Sequence, residues 1–296
     1  HWKVPIIPDD LKTPGIEISG PAHITPMFIN ALNPGPGGNR AEGYLDDDED
    51  SAPLWEYRPK EGQGLGAVFG PPAIGDEFIY VAGSVDDNKN GRVVAIRKDR
   101  KTSSRIESDE WDQNILGGGI IGGPALSREG LLLIGSEDGR LHALDATNGD
   151  RLWTFSTEAL RKGEDKDKRI WSTPVVHDGV VYFGAMDDYI YAISLDTDLA
   201  STERLIWKFR AKGALISAPL VVGNVIVFGS FDRNLYALDA DDNGRLLWSF
   251  EADNWFWASP VSNGELVFAA SMDLSLIHIS EPTRPRLISY AVFCLK

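Results

Sequence analysis

The chain has 296 residues, of which 43% are apolar and 25% charged, so it is long enough for one large or two ordinary globular domains and is not disordered. Its formal net charge of −15 argues against a nucleic-acid partner, which requires a basic face. The single cysteine, Cys294, excludes an internal disulfide and a cysteine-rich zinc site, and no apolar run reaches the ~18 residues of a membrane span.

Residues 1–53 differ in composition from the rest of the chain. Proline and glycine are frequent there, and residues 46–50 form the acidic run DDDED. This composition predicts a linker or a poorly ordered arm, and the tail of a preceding repeat unit is the alternative. The sequence begins at His1 without a recognisable signal segment, so this end predicts no cellular compartment.

The segment DDNKNG at 86–91 matches the first half of a calcium-binding loop. Oxygen ligands at alternate positions would come from Asp86, Asn88 and Asn90, and the glycine that follows would allow the sharp turn. The twelfth position of such a loop is normally glutamate, but here it is Arg97. A calcium site and a polar hairpin are the two interpretations, and the missing glutamate favours the hairpin.

A repeat runs through the middle of the chain, marked by a proline at the start of a short apolar phrase. The phrase recurs every 41 to 52 residues, as in STPVVHDGVVYFG at 172–184 and SAPLVVGNVIVFG at 217–229. Its prolines are Pro72, Pro124, Pro174, Pro219 and Pro260. Each of the first four units continues with a second phrase, such as YIYAIS at 189–194, and then with a tryptophan.

Within each unit the pattern predicts short β-strands. Apolar runs of four to six residues alternate with Asp-Gly or Asn-Gly turns, and no stretch keeps a 3.6-residue period. In the third unit we expect strands near 172–176, 180–185, 189–194 and 205–210. Four strands per unit of this length are typical of a propeller blade, whose faces are buried by stacking on neighbouring blades. For the charged insertion at 157–169, a short helix and a solvated loop are the two alternatives.

A motif connects the second phrase to the tryptophan. Residues 143–153 read ALDATNGDRLW, and residues 237–248 read ALDADDNGRLLW. Both resemble the tryptophan-docking motif A-x-D-x-x-x-G-x-x-x-W of quinoprotein propellers, the second with one extra residue. The matching residues are Ala143, Asp145, Gly149, Trp153, Ala237, Asp239, Gly244 and Trp248. With five units in phase, residues 54–273 resemble the pyrroloquinoline-quinone-like (PQQ-like) propeller repeat family.

This resemblance implies an all-β PQQ-like β-propeller with an incomplete ring, made of four four-stranded blades and part of a fifth. It also implies that the motif residues are structural, because an indole offers a large apolar area and one N–H donor that can dock on a neighbouring blade's glycine. The aspartate would accept backbone N–H bonds across its turn. The remaining repeat tryptophans are Trp55, Trp111 and Trp207.

Members of this family are either quinone-dependent dehydrogenases or non-catalytic proteins. The dehydrogenases resemble one another in an adjacent cysteine pair, a Ca²⁺ ion and a catalytic aspartate, and this chain has no cysteine pair. The resemblance therefore favours a scaffold of the periplasm or cell surface that needs no cofactor and docks protein partners through rim loops or strand edges. BamB of outer-membrane protein assembly is such a scaffold. The alternative is a fragment of a PQQ-dependent alcohol or sugar dehydrogenase.

Aromatic residues concentrate just before the last repeat proline, in NWFW at 254–257. Trp171 and Trp257 each stand three residues before a repeat proline, so they share one register. This position would lie where a blade enters the central channel of a propeller. A stacking platform for a ligand or peptide and simple packing between blades are the two interpretations, and packing is favoured.

The end of the chain has a different character. Residues 274–284, LSLIHISEPTR, and 288–295, ISYAVFCL, resemble the in-frame translation of a sequencing adapter. The fifth unit breaks off at Asp273, where earlier units continue into their third strand. We therefore expect residues 274–296 to be foreign to the propeller, and either to lie loosely or to fill a strand position by accident. A natural pair of strands is the alternative.

Overall fold

A computed structural model describes residues 41–43, 55–57, 64–87, 89–98, 105–106, 111–157, 167–263, 266–272, 276–280 and 286–288. Within these residues the chain forms β-strands and no helix, so the prediction of an all-β fold is confirmed. It follows that no helix able to cross a membrane occurs in this part of the chain. Most of the arm predicted at 1–53, Asn88, and residues 158–166 of the charged insertion lie outside the described residues.

A small sheet is made of β1 (Ala41–Gly43) and β2 (Trp55–Tyr57), which precede the repeats, and of β6 (Arg105–Ile106), which comes from within the first repeat unit. Five sheets of four antiparallel strands then follow along the chain, and we number them blades 1 to 5. Blade 1 contains β3 (Ala73–Ile74), β4 (Phe78–Val85), β5 (Asn90–Arg97) and β7 (Trp111–Leu116). Blade 2 contains β8 (Ala125–Leu126), β9 (Leu131–Gly135), β10 (Arg140–Asp145) and β11 (Arg151–Ser156).

The remaining three blades repeat this pattern. Blade 3 contains β12 (Val175–His177), β13 (Val180–Gly184), β14 (Tyr189–Ser194) and β15 (Leu205–Arg210). Blade 4 contains β16 (Leu220–Val222), β17 (Val225–Gly229), β18 (Asn234–Asp239) and β19 (Arg245–Glu251). Blade 5 contains β20 (Val261–Ser262), β21 (Leu266–Ala270), β22 (Leu276–Ser280) and β23 (Arg286–Ile288).

The central strands are buried on both faces because each blade is covered by its neighbours. In β9, Leu132 packs into the core between blades 1 and 2, whereas Leu133 packs into the core between blades 2 and 3. In β13, Phe183 and Tyr182 divide in the same way between the two cores that flank blade 3. Successive side chains of a strand point to opposite faces, so a continuous apolar run serves two cores at once.

The blades follow one another in an arc. The first strand of each blade contacts the first strand of the next, in the order β3, β8, β12, β16 and β20. Blades 1 to 4 are complete between Ala73 and Glu251, and blade 5 takes its first two strands from the last repeat unit. This architecture is a β-propeller with an incomplete ring, as the sequence predicts.

The other two strands of blade 5 come from the segment that resembles an adapter. β22 pairs antiparallel with β21, with Phe268 opposite His278, and β23 pairs antiparallel with β22. The segment thus fills two strand positions, which is one of the outcomes expected for it. Its foreign origin stays a prediction.

Blade 3 corrects one strand boundary. The last two strands begin and end as expected and the second ends one residue early, but the first spans Val175–His177 rather than 172–176. The preceding residues serve as links instead: Gly184 N donates to Ser172 Oγ at 3.2 Å, and Gly123 N of the previous unit donates to Thr173 Oγ1 at 2.8 Å. The segment before the repeat proline therefore connects blades rather than extending a strand.

Candidate functional site

The repeat tryptophans occupy one position in the blades. In each of blades 1 to 4 the tryptophan of the outer strand stands opposite an alanine of the third strand. The pairs are Ala95 with Trp111, Ala143 with Trp153, Ala192 with Trp207, and Ala237 with Trp248. In blades 2 to 4 a bulge follows directly after this alanine. The alanine of the motif thus marks where a small side chain faces the indole.

Trp111 of blade 1 docks on the motif turn of blade 2. Its Nε1 donates to the carbonyl oxygen of Ala146 at 3.1 Å. Gly149 lies under the ring with φ +78°, and a Cβ added there would stand 2.5 Å from a ring atom. Both the backbone conformation and the lack of space therefore require glycine. Asp145 closes the turn by accepting the backbone N–H of Thr147 at 2.7 Å.

Trp207 of blade 3 makes the same contact with blade 4. Its Nε1 donates to Ala240 O at 3.1 Å, and a Cβ on Gly244, which has φ +70°, would lie 2.6 Å from the ring. Asp239 accepts the backbone N–H of Asp241 at 3.2 Å. The geometry thus brings together a tryptophan of one blade with the aspartate and glycine of the next, rather than the residues of a single motif.

Trp153 has a different partner, because the loop of blade 3 that faces it lacks the motif aspartate and glycine. The Arg204 guanidinium carbon lies 4.0 Å from the centre of the Trp153 ring. Arg204 is only 1% exposed and donates to the carbonyl oxygens of Asp196 at 2.6 Å and Leu199 at 2.9 Å. Burial lowers the pKa of this guanidinium, and the negative charge of Asp196, which acts to raise that pKa, only partly offsets the effect. Sequence reasoning missed Arg204, although the altered loop at 192–207 was a signal that the partner must differ.

The two end tryptophans are placed less completely. Trp248 is buried in the core between blades 4 and 5, where Phe256 and Val267 also lie. Trp55 lies in β2 of the small sheet, and its side chain is outside the described residues. The structural role assigned to all five tryptophans remains our proposal and is addressed by the predictions below.

The candidate calcium loop forms the turn between β4 and β5. Asp86 has φ 53° and accepts a hydrogen bond from Asn90 Nδ2 at 2.9 Å, while Asn90 Oδ1 accepts the N–H of Gly117 at 3.1 Å. These two side chains thus hold the hairpin to its neighbouring strand. No group of three acidic, histidine or cysteine side chains suited to a metal ion occurs within the described ranges. Calcium binding at this loop stays a prediction.

The two candidate channel tryptophans lie at different blade junctions and have different surroundings. Trp171 donates from Nε1 to Glu137 Oε1 at 2.9 Å, and the Arg169 guanidinium lies 4.9 Å from the ring centre. Trp171 is therefore held within a polar cluster. Trp257, in contrast, is 53% exposed and packs on Phe231 with ring centres 5.5 Å apart.

Trp257 is part of an exposed aromatic surface, which we define as Phe231, Trp255 and Trp257. Phe231 stacks on Trp255 at 5.2 Å with an interplanar angle of 17°, and Trp255 is 48% exposed. Phe256, between the two tryptophans, is buried against Gly229. The alternation fixes the two indoles outward. Sequence reasoning missed Phe231, whose signal is an apolar residue at the tip of a hairpin.

In blades 3 and 4, the turn between the second and third strands contains an aspartate whose carboxylate accepts a hydrogen bond from the tyrosine four positions later. Asp187 accepts from the Tyr191 hydroxyl at 2.5 Å, and Asp232 accepts from the Tyr236 hydroxyl at 2.7 Å. Burial would raise the pKa of Asp232, but hydrogen bonds led by Tyr236 outweigh it and hold that pKa below its usual value. These carboxylates fix the turns that carry the rim residues.

Known proteins resemble this geometry. The crystal structure of BamB from Moraxella catarrhalis matches with a TM-score of 0.62 at 18% identity, covering 85% of this chain and 67% of that one, which shows the fold alone. A quinohemoprotein alcohol dehydrogenase, ADH-IIG of Pseudomonas putida, is 26% identical over 191 residues. That match covers 58% of this chain and 25% of the dehydrogenase, so the chain spans about a quarter of the length of this relative.

A family model covers the repeats themselves. It matches residues 89–200 and 198–254, which together exceed half of the chain and include blades 2, 3 and 4. The matched residues contain both tryptophan–glycine contacts and the variant contact through Arg204. The chain therefore belongs to the PQQ-like repeat family described as outer membrane protein assembly factor BamB.

Proposed function

We propose that this chain is a non-catalytic scaffold of the cell envelope that binds protein partners through the rim of its blades. The observation that carries this proposal is the aromatic surface of Phe231, Trp255 and Trp257. Two indoles that are about half exposed, 48% and 53%, both pack on Phe231, which lies in the turn between β17 and β18. Tryptophan is enriched among the residues that dominate protein–protein binding energy.

Neighbouring residues extend this surface and frame it. Met272, 54% exposed, donates its backbone N–H to Trp255 O at 2.9 Å and so lies beside the aromatic residues. Asp253 is an exposed charge in the same connection between blades 4 and 5. An apolar patch with a polar rim is typical of a protein-binding site. Membership of the BamB-like family supports a place in the cell envelope and a partner in outer-membrane protein assembly.

The proposal is tested by pull-down with the purified outer-membrane assembly machine. We expect the wild-type chain to retain it and the double variant Trp255→Ala/Trp257→Ala to lose most of the retention. Leu152→Ala is the matched control, because Leu152 is also an apolar side chain that is 48% exposed, but on the outer strand of blade 2. Equal retention by the double variant and the wild type would place binding elsewhere, and no retention of the wild type would contradict the assembly role.

A second candidate function is that of a fragment of a quinone-dependent dehydrogenase, favoured by the similarity to ADH-IIG. The described residues do not fit a quinone held by calcium, because they contain no group of three acidic, histidine or cysteine side chains that could hold the ion, and the exposed Trp255 ring already stacks on Phe231. Titration with pyrroloquinoline quinone in the presence of Ca²⁺, followed by tryptophan fluorescence, separates the two functions. Saturable binding at micromolar concentration would favour the dehydrogenase.

A further inference from the structure

A cleft of about 370 Å³ opens between blades 3 and 4, beside the docked Trp207. Its apolar wall includes Val180, Tyr182 and Ile206. Ile206 is 47% exposed although it neighbours a buried tryptophan in sequence. The cleft therefore offers an apolar surface that solvent reaches, on a part of the propeller distinct from the aromatic surface.

Two carboxylates face this cleft, those of Asp178 and Asp241, and none of the described residues that line it is a lysine or an arginine. Burial raises the pKa of Tyr182, and the charges of Asp241 and Asp178 raise it further, so both charges act on the same ring. His177 also lines the cleft, with Nε2 3.4 Å from the Asp178 carboxylate. The electrostatic character of the cleft favours a cation with an apolar stem.

The preceding junction contains an equivalent of this position. Asp196 in blade 3 corresponds to Asp241 in blade 4. In both blades the residue before this aspartate donates its N–H to the turn between the first two strands, at 2.9 and 2.8 Å. Trp153 corresponds to Trp207, since each stands opposite the repeat alanine. The two junctions can therefore be compared residue by residue.

At that equivalent position the protein places an arginine. The Arg204 guanidinium lies on the Trp153 ring at 4.0 Å and donates to Asp196 O at 2.6 Å. At the junction of blades 3 and 4, Arg245 has the matching position opposite Asp239, but it pairs with the Asp239 and Asp242 carboxylates, and the short turn at 240–244 places Gly244 on the Trp207 ring. The described residues that line the cleft therefore include no guanidinium, while the ring face that Arg204 covers at Trp153 is covered at Trp207 by Gly244.

Blade 1 has a larger side chain at the position of Val180. Phe78 stands two residues before Tyr80, where blade 3 has Val180 two residues before Tyr182. Phe78 is buried with its ring 6.1 Å from that of Tyr80. The smaller valine leaves volume that the phenylalanine fills at the junction of blades 1 and 2.

We propose that the cleft between blades 3 and 4 binds an arginine side chain presented by an extended segment of a partner protein. The aliphatic stem packs on Val180 and Ile206, and the guanidinium lies between the carboxylates of Asp178 and Asp241. Arginine fits better than lysine because its planar guanidinium stacks on aromatic rings and pairs with carboxylates in two places at once. This site does not depend on the aromatic surface or on the assembly role.

Fluorescence anisotropy with three labelled peptides tests the proposal on the full chain. The peptides are identical except for a central residue, which is arginine, lysine or citrulline, flanked by leucines. We expect the arginine peptide to bind at least about tenfold more tightly than the citrulline peptide, and the double variant Asp178→Asn/Asp241→Asn to weaken it about tenfold. Asp76→Asn, which removes an exposed carboxylate from the corresponding turn of blade 1, is the control and should leave the affinity unchanged.

A second variant separates the cleft from general acidity. Val180→Phe places in blade 3 the residue that blade 1 has at this position, and it should abolish binding while circular dichroism stays native. Undetectable binding of the arginine peptide to the wild type would overturn the proposal. So would equal affinity for arginine and citrulline, or unchanged affinity in the double variant or in Val180→Phe.

Discussion

At the junction of blades 3 and 4, Trp207 lies against Gly244, whereas at the junction of blades 2 and 3, Trp153 lies against the Arg204 guanidinium. The first contact depends on the absence of a side chain and on a left-handed backbone. The second depends on a buried cation, whose desolvation is offset by the ring and by carbonyl oxygens. The comparison teaches that the tryptophan position is common to the blades, while the chemistry of its partner is free to change.

Removing the tryptophan should have the largest effect at both junctions. We expect Trp153→Ala and Trp207→Ala each to lower the free energy of unfolding by about 3–5 kcal/mol, because each deletes a large buried side chain from an interface between blades. Chemical denaturation measures this, with Leu152→Ala on the exposed side of blade 2 as control. A loss below about 1 kcal/mol would show that the tryptophans do not stabilise the ring as we propose.

Adding one methyl group to Gly244 should destabilise only the junction of blades 3 and 4, where the contact with Trp207 depends on the absence of a side chain. Gly244→Ala is expected to cost about 2–4 kcal/mol, since the new Cβ meets the Trp207 ring and the residue keeps a positive φ. Gly223→Ala is the matched control: Gly223 has φ +59°, and a methyl group added there would meet no atom within 4 Å, so it isolates the backbone cost of about 1–2 kcal/mol. Equal losses in the two variants would remove the steric explanation.

Replacing the Arg204 guanidinium should lower stability only at the junction of blades 2 and 3. We expect Arg204→Lys to cost about 1–3 kcal/mol, because an ammonium cannot lie flat on Trp153 and reach several carbonyl oxygens together. Arg233→Lys, at an exposed ion pair with Glu251, should change stability by less than about 0.5 kcal/mol. Similar values for both variants would mean that the buried guanidinium contributes no more than a surface charge.

Deleting residues 274–296 compares blade 5 with the complete blades. These residues pair as β22 and β23, but we expect them not to have been selected to pack. The melting temperature of the shortened chain should therefore change by less than about 5 °C. Differential scanning calorimetry of both chains decides this, and a larger decrease would make the segment a genuine part of the propeller.

Acid should weaken the turn of blade 4 slightly. The pKa of Asp232 is lower in the folded chain than its usual value of 3.8, so its contribution to stability is present above that pH and is lost as the pH falls below it. Asp232→Asn should therefore lower stability at pH 7 and have a smaller effect at pH 3. An equal effect at both values would mean that the carboxylate charge is not involved.

The strands could be predicted because they depend on local patterns. A run such as Val225–Gly229 between turn residues is enough to indicate a buried strand, whereas Gly149 and Gly244 follow the motif aspartate at different distances and are related to the tryptophans only through the family resemblance. Arg204 and Phe231 could not be found in this way. Their roles depend on which loop faces Trp153 and on which hairpin faces Trp257, and these are contacts between blades that no spacing within one unit encodes.

The contacts between first strands, from β3 through β8, β12 and β16 to β20, follow chain order. Each blade is therefore stabilised mainly by its contacts with the blades before and after it, as in a one-dimensional array of coupled units. Among the described blades, blades 1 and 5 each contact one other blade through their first strands. Local unfolding should therefore begin at blades 1 and 5 and reach blade 3 last. Amide hydrogen exchange should accordingly be slowest in β13 and β14 and become faster toward both ends of the repeat.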